Sequence, residues 1–213
     1  MKVVFVAGAH GSGKTSLLVH ALRALPGVRA GVFKVDPSPA ADAAQVERHG
    51  FVARVHASGD VCPDHEALIA LPDAWRWARA SSLDLLAIES AGLCHRCSPF
   101  LKRFLAVCVV SGLSNLATPD KMRPLVETAD FVALTRAELL SPAEREIFVR
   151  RLRRVNPRAT VVPANGLTGE GTLELAGAIE RLPPARFLDI EPLRATVPAG
   201  FCHFCQGIGS GHE

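Results

Sequence analysis

Two things are scarce in this chain of 213 residues. One is charge of a single sign: 24 Lys and Arg are nearly balanced by 21 Asp and Glu, leaving a formal net charge of +3. That balance lacks the electrostatic footprint of a nucleic-acid or membrane-surface binder, and points instead to small ions, nucleotides and proteins as partners. The other is a long apolar run at the start. "MKVVFVAG" offers only a few apolar residues before glycine, too short for a signal-peptide core or a membrane span, so the expected location is cytoplasmic. Six cysteines in a reducing compartment are poor candidates for disulfides and better ones for metal ligands or redox groups. Cys108, inside "FLAVCVVSGL", reads instead as a small buried hydrophobe.

What is present is an alternation. Short apolar runs, "KVVFVAG", "AGVFKVD", "FVARVHA", "LDLLAIES", "FLAVCVVSG", "ADFVALT" and "ATVVPAN", are separated by amphipathic stretches. The pattern predicts an α/β fold, a largely parallel sheet with helices on both faces, with helices near 14–25, 39–49, 65–80, 119–128, 141–155 and 172–182. Ser141 is the expected N-cap of the helix that begins at Pro142, and the arginines 150, 151, 153 and 154 form its solvated C-terminal face. Trp75 and Trp77 read as packing residues in a helix interrupted near Pro72. After Leu182 the chain turns rich in Pro and Gly, which divides it into a domain over 1–182 and a tail over 183–213 ordered by docking or by metal.

"GAHGSGKT", Gly8 to Thr15, matches G-x-x-x-x-G-K-T between a strand and a helix, the context this phosphate-binding loop requires. Its glycines, Gly8, Gly11 and Gly13, let backbone amides approach phosphate, with Ser12 and Ser16 beside them. Lys14 adds positive charge and Thr15 a hydroxyl for Mg²⁺. Asp36 in "FKVDPSP" and Glu89 in "LAIES" end strands at the carboxyl edge of the sheet, where they can hold Mg²⁺ or order an attacking water.

In this order the motifs resemble the SIMIBI-class GTPases that insert nickel into hydrogenase and urease, the HypB/UreG family, related to CobW. "VFVAGAHGSGKTSLL" is similar to the family's first strand and phosphate loop, "GVFKVDP" to the strand leading to its magnesium-linked aspartate, and "DLLAIESAG" to its E-S/N-x-G segment. "DKMRPLVETADFVALTRAELL" resembles the stretch that ends in N/T-K-x-D-L, and "VPANGLTGEG" the late T-G-E-G loop. The resemblance implies a P-loop GTPase that acts as a metallochaperone: it hydrolyses GTP with Mg²⁺, dimerises, and loads a transition metal into a target metalloenzyme or its maturation proteins. It also implies a metal-binding Cys and His at the dimer interface, matched here by Cys62 and His65 with one extra residue in Cys62-Pro-Asp-His65. For base recognition the family uses Lys and Asp, where this chain has Arg136 and Glu138 in Thr135-Arg136-Ala137-Glu138, which leaves both GTP and ATP open. Asn165 and Gly166 match the loop whose amides contact the base.

Two Cys-His-x-Cys clusters remain. "ESAGLCHRCSP" holds Cys94, His95 and Cys97, and "GFCHFCQG" holds Cys202, His203 and Cys205. Two thiols on one turn form half of a tetrahedral site, so the pairs Cys94/Cys97 and Cys202/Cys205 are candidate ligands for Zn²⁺, Ni²⁺ or an iron–sulfur cluster. The resemblance assigns neither pair a role, and they can share one ion, within a chain or across a dimer, or stand apart. Two other readings stay open: a small-molecule or nucleotide kinase, and a nucleotide-gated regulatory module stapled by a structural zinc.

Overall fold

The structure is a computed structural model and describes residues 1–38, 43–92, 97–186 and 193–195. All seven apolar runs form strands: β1 (Lys2–Gly8), β2 (Ala30–Asp36), β3 (Val52–Ala57), β4 (Leu85–Ser90), β5 (Leu105–Ser111), β6 (Phe131–Thr135) and β7 (Thr160–Ala164). They make one seven-stranded sheet in the order β3-β2-β4-β1-β5-β6-β7, with every pairing parallel. β1, β4 and β5 are central and nearly wholly buried, which is why they read as unbroken apolar runs. β3 and β7 are the edges, and β7 carries Pro163, a residue that sheets admit only where no ladder N–H is needed.

The helices are α1 (Lys14–Arg23), α2 (Ala43–Glu47), α3 (Pro63–Ile69), α4 (Leu71–Ala80), α5 (Thr118–Lys121), α6 (Arg123–Thr128), α7 (Pro142–Val155) and α8 (Thr172–Glu180), with a 3₁₀ turn at Ala137–Leu139. Two expected helices are each divided. The stretch 65–80 becomes α3 and α4, which meet at Ala70, and 119–128 becomes α5 and α6, which meet at Met122. The cause is Pro72 and Pro124: each lies at the start of the second helix, lacks an N–H, and disfavours helical geometry in the residue before it.

The core has two layers. α3, α4, α6 and α7 cover one face around Phe5, Phe33, Phe100, Ile88 and Phe148, while α1 and α8 cover the other around Val4, Val6, Leu17, Leu18 and Ile179. Cys108 is completely buried on β5, and burial pushes its thiol up to about 12, so it packs as the sequence suggests. Trp77 rests on Phe33, with ring centroids 6.0 Å apart. Arg150 pairs with Glu146 and Arg154 with Asp120, both in solvent.

Beyond α8 the chain runs back along its own start, where the Met1 amine donates to the Ala185 carbonyl and the Ala185 N–H to the Met1 carbonyl. Further on, Leu193 bridges antiparallel to Leu101. Among the described residues no helix is long and apolar enough to cross a membrane.

Candidate functional site

The phosphate loop follows β1, at the carboxyl edge of the sheet. Gly13 has a left-handed φ of 89° as it enters α1. At Gly8 a Cβ would lie 2.3 Å from the Val109 carbonyl oxygen, so the loop can sit this close to β5 only with glycine there. No side chain caps α1, whose first amides therefore remain available to an anion. The Lys14 ammonium curls back to the carbonyls of Gly8 (3.0 Å) and Ala9 (2.8 Å). Burial pushes its pKa down, and Glu89 is the strongest of the neighbours that oppose this. On the far side, the Thr135 hydroxyl donates to the Ser12 carbonyl at 2.6 Å and fastens the loop to the end of β6.

Thr15, Asp36 and Glu89 come together as expected. The Thr15 hydroxyl donates to Glu89 Oε1 at 2.8 Å, and all three residues line one cavity of about 280 Å³ with Gly11, Gly13, Lys14, Ser16 and Arg136. Glu89 Oε2 is buried without a hydrogen-bond partner among the described residues. A carboxylate oxygen left unmatched beside a threonine hydroxyl and a second carboxylate is the oxygen-rich donor set that suits Mg²⁺, so the residues present fit this ion. Lys34 was not foreseen. It is 4% exposed, donates to Thr15 Oγ1 at 3.3 Å and lies 3.6 Å from Glu89 Oε1. A lysine two positions before Asp36, within an otherwise apolar strand, was its signal. Gln45 also joins the cavity, donating from α2 to the Ser16 hydroxyl at 3.1 Å.

The residues expected at the base divide. Arg136 has a left-handed φ of 55°, lines the cavity and donates to the Ser111 hydroxyl at 3.0 Å. Glu138 is exposed on the 3₁₀ turn and does not line that cavity. Asn165 shapes its own loop, its side-chain oxygen accepting from the N–H groups of Leu167 (2.8 Å) and Thr168 (3.2 Å). Gly166 packs against Ser16, with room for a Cβ only at 3.1 Å from the serine Cβ.

Next to the phosphate site is a second group of polar residues. Cys62 is the N-cap residue of α3, with its thiol buried. His65, one turn later, has Nε2 3.2 Å from the Cys97 sulfur, and both residues are buried. The chain thus joins the histidine of "CPDH" to a cysteine of the loop after β4. Burial pushes the His65 pKa down, which favours the neutral, ligating imidazole. Asp64, the extra residue of that motif, is also buried. It accepts from the Ser90 hydroxyl at 2.6 Å, and a Cβ on Gly92 would collide with its carboxylate. Burial pushes the Asp64 carboxyl up to about 6, against the pull of Ser90 and Lys14. Among the described residues no three His, Cys, Asp or Glu form a group able to hold a metal ion. Cys94, His95, Cys202, His203 and Cys205 lie outside the described residues.

Comparison with known proteins agrees with this geometry. The CobW/HypB/UreG nucleotide-binding domain matches residues 2–163. An uncharacterized protein of Methanocaldococcus jannaschii is 39% identical over 209 residues, covering 97% of this chain and 89% of that one. Hydrogenase maturation factor HypB from Archaeoglobus fulgidus superposes with a TM-score of 0.66 at 25% identity, over 84% of this chain and 89% of that one. HypB from Helicobacter pylori, solved in complex with nickel, shares the fold at 16% identity, with a TM-score of 0.65 over 88% of this chain and 92% of that one. With the phosphate loop, both strand-end carboxylates and the parallel sheet in place, this chain belongs to the CobW/HypB/UreG family of P-loop nucleotide-binding proteins.

Proposed function

We propose that this protein is a cytoplasmic metal-delivery GTPase, working as a homodimer, that couples hydrolysis of GTP to holding and releasing a nickel-type transition metal for a target metalloenzyme. The reading rests above all on the end of β4, which serves two sites at once. Glu89 accepts from the magnesium-type threonine, Thr15, and the next residue, Ser90, is bonded to Asp64, whose neighbour His65 meets Cys97. A change of charge at the phosphate site therefore acts on a segment that is one hydrogen bond away from the metal pair.

Hydrolysis is phosphoryl transfer to water. The amides of the phosphate loop and Lys14 hold the β- and γ-phosphates, and Lys14 must exchange its carbonyl partners, Gly8 and Ala9, for phosphate oxygens. Thr15, Asp36 and Glu89 would hold Mg²⁺, which when bound supplies further positive charge against those oxygens. Arg136 covers the base from the end of β6, Glu138 accepts from its edge, and the amides near Asn165 and Gly166 meet its carbonyl, giving preference for guanine over adenine. Residues 1–182 form the nucleotide domain and 183–213 a metal-binding tail.

The test is metal exchange on anaerobically purified protein loaded with Ni²⁺ or Zn²⁺, compared without nucleotide, with Mg·GDP and with Mg·GTP, while phosphate release is followed with no acceptor added. Exchange that differs between the GDP and GTP states, together with slow phosphate release that ATP does not compete away, is the expected result. Phosphate transfer only to an added small molecule would make the protein a kinase. Metal that never exchanges in any state would make it a nucleotide-gated module with a structural ion.

A further inference from the structure

Lys34 breaks an apolar face of the sheet. Along β2 alternate residues face the layer of α1: Val32 packs in that core, Lys34 follows it and Asp36 ends the strand, while Phe33 and Val35 enter the opposite core. The parallel register of β2 with β4 sets Lys34 beside Glu89, so both side chains leave the sheet on one face. There the ammonium donates to Thr15 Oγ1 at 3.3 Å, lies 3.6 Å from Glu89 Oε1 and lines the same cavity as Lys14, Thr15, Asp36 and Glu89. A buried ion pair of this kind adds little stability over two apolar side chains of similar volume, so packing alone does not call for it.

Two of the oxygens that suit Mg²⁺, Thr15 Oγ1 and Glu89 Oε1, thus already have a cation beside them. Mg²⁺ bonds oxygen at about 2.1 Å, and a dication on these two atoms would be pressed against the ammonium with little water to screen the repulsion. The ammonium sits on a flexible four-carbon stem and carries three donors, so it can turn to another acceptor. Phosphate oxygens held by the loop around Lys14 and Thr15 are anions brought into this same cavity.

We propose that Lys34 is a second phosphate-binding lysine that keeps the place of Mg²⁺: without nucleotide its ammonium neutralises the Thr15–Glu89 side of the cavity, and with nucleotide it crosses to the phosphate oxygens. The inference rests on the reading of Thr15, Asp36 and Glu89 as the magnesium residues. Only hydrogen bonds change partners, and Lys34 stays an ammonium throughout. Nucleotide is then held firmly even where Mg²⁺ is scarce, because a tethered cation serves the phosphate in its stead. The nucleotide state is thereby insulated from the supply of free divalent ions.

The experiment is calorimetric titration of the full chain with GDP and with ADP, the tighter being carried forward, in excess Mg²⁺ and in EDTA. Wild type is compared with Lys34→Gln, Lys34→Arg and the double variant Lys34→Gln/Glu89→Gln, and thermal unfolding checks that each is folded. Removal of Mg²⁺ is expected to weaken binding less than about tenfold in wild type and in Lys34→Arg. In Lys34→Gln the loss should be at least about ten times larger than in wild type, since a charge-assisted hydrogen bond to phosphate carries a factor of that order. A smaller difference would overturn the inference, for Lys34 would then only balance Glu89. A wild-type loss beyond about tenfold would overturn it by itself, even if Lys34→Gln does not fold. A magnesium response in Lys34→Gln that survives in the double variant would instead overturn the magnesium reading of Glu89.

Discussion

Glu89 has two duties. One oxygen accepts from Thr15 and lies 3.6 Å from the Lys34 ammonium, while the other is buried and unmatched among the described residues. The Lys34 and Glu89 side chains are only 6% and 3% exposed, so neither charge can be relieved by water. Glu89→Gln keeps the acceptor for Thr15 but removes the counter-charge. It is expected to destabilise the protein by up to about 3 kcal/mol and to slow Mg²⁺-dependent phosphate release about 10²–10³-fold. Lys34→Met in the same chain removes the buried ammonium, so denaturant unfolding should return to within about 1 kcal/mol of wild type while hydrolysis stays slow. Recovery of both together would mean that Glu89 matters only for folding.

At the scale of elements, α7 depends on its cap. The Glu144 N–H donates to the Ser141 hydroxyl at 3.3 Å, and the Ser141 N–H donates to the Glu144 carboxylate at 3.0 Å. Ser141→Ala should cost about 1 kcal/mol in denaturant unfolding. The Ser141 hydroxyl, which donates to the Glu144 carboxylate at 2.7 Å, and then the Ser141 N–H hold the Glu144 carboxyl below the usual carboxylate range. The folded state therefore binds that proton less readily than the unfolded chain, and the capping contribution is present at neutral pH and lost as pH falls through the lowered value. The gap between Ser141→Ala and wild type should accordingly narrow in acid to the share carried by the Glu144 N–H to Ser141 hydroxyl bond, and a constant gap would refute the box. The junction of α3 with the β4 loop is equally specific. Gly92→Ala drives a methyl group into the Asp64 carboxylate and so displaces the helix that carries His65. Metal affinity should fall at least tenfold in chelator competition, with nucleotide binding retained as the check that the phosphate loop is intact.

The same elements show what a sequence discloses. Central strands buried on both faces leave uninterrupted apolar runs, so all seven strands were readable, as was the phosphate loop with its two strand-end carboxylates. The interruption near Pro72 was readable from the proline, whereas the division of 119–128 at Met122, just before Pro124, was not. Asp64, Asp130 and Arg194 were invisible, because each works through a partner far along the chain and an exposed-type residue carries no local mark of that pairing. Cys97 was a candidate ligand in the sequence, but its contact with His65, which depends on two loops converging beside β4, was not legible there.

The whole molecule is built around an anion-binding edge that nucleotide would cross-link. Ligand present at about a hundred times its Kd adds about 2.7 kcal/mol to the folded state, which in a chain of this size should raise Tm by about 5–11 °C. Mg·GDP should give this shift in wild type and far less in Lys14→Ala, and an equal shift in both would place the nucleotide elsewhere. The sheet that carries this edge is itself finite. Among the described residues β7 pairs with β6 alone, and Pro163, next to its last residue, has no N–H to offer on the open side. Another strand laid along that border would find its ladder broken after a residue or two. The fold thus brings its own stop against edge-to-edge accretion, and copies of the chain must meet through side chains and loops rather than by merging their sheets at that border.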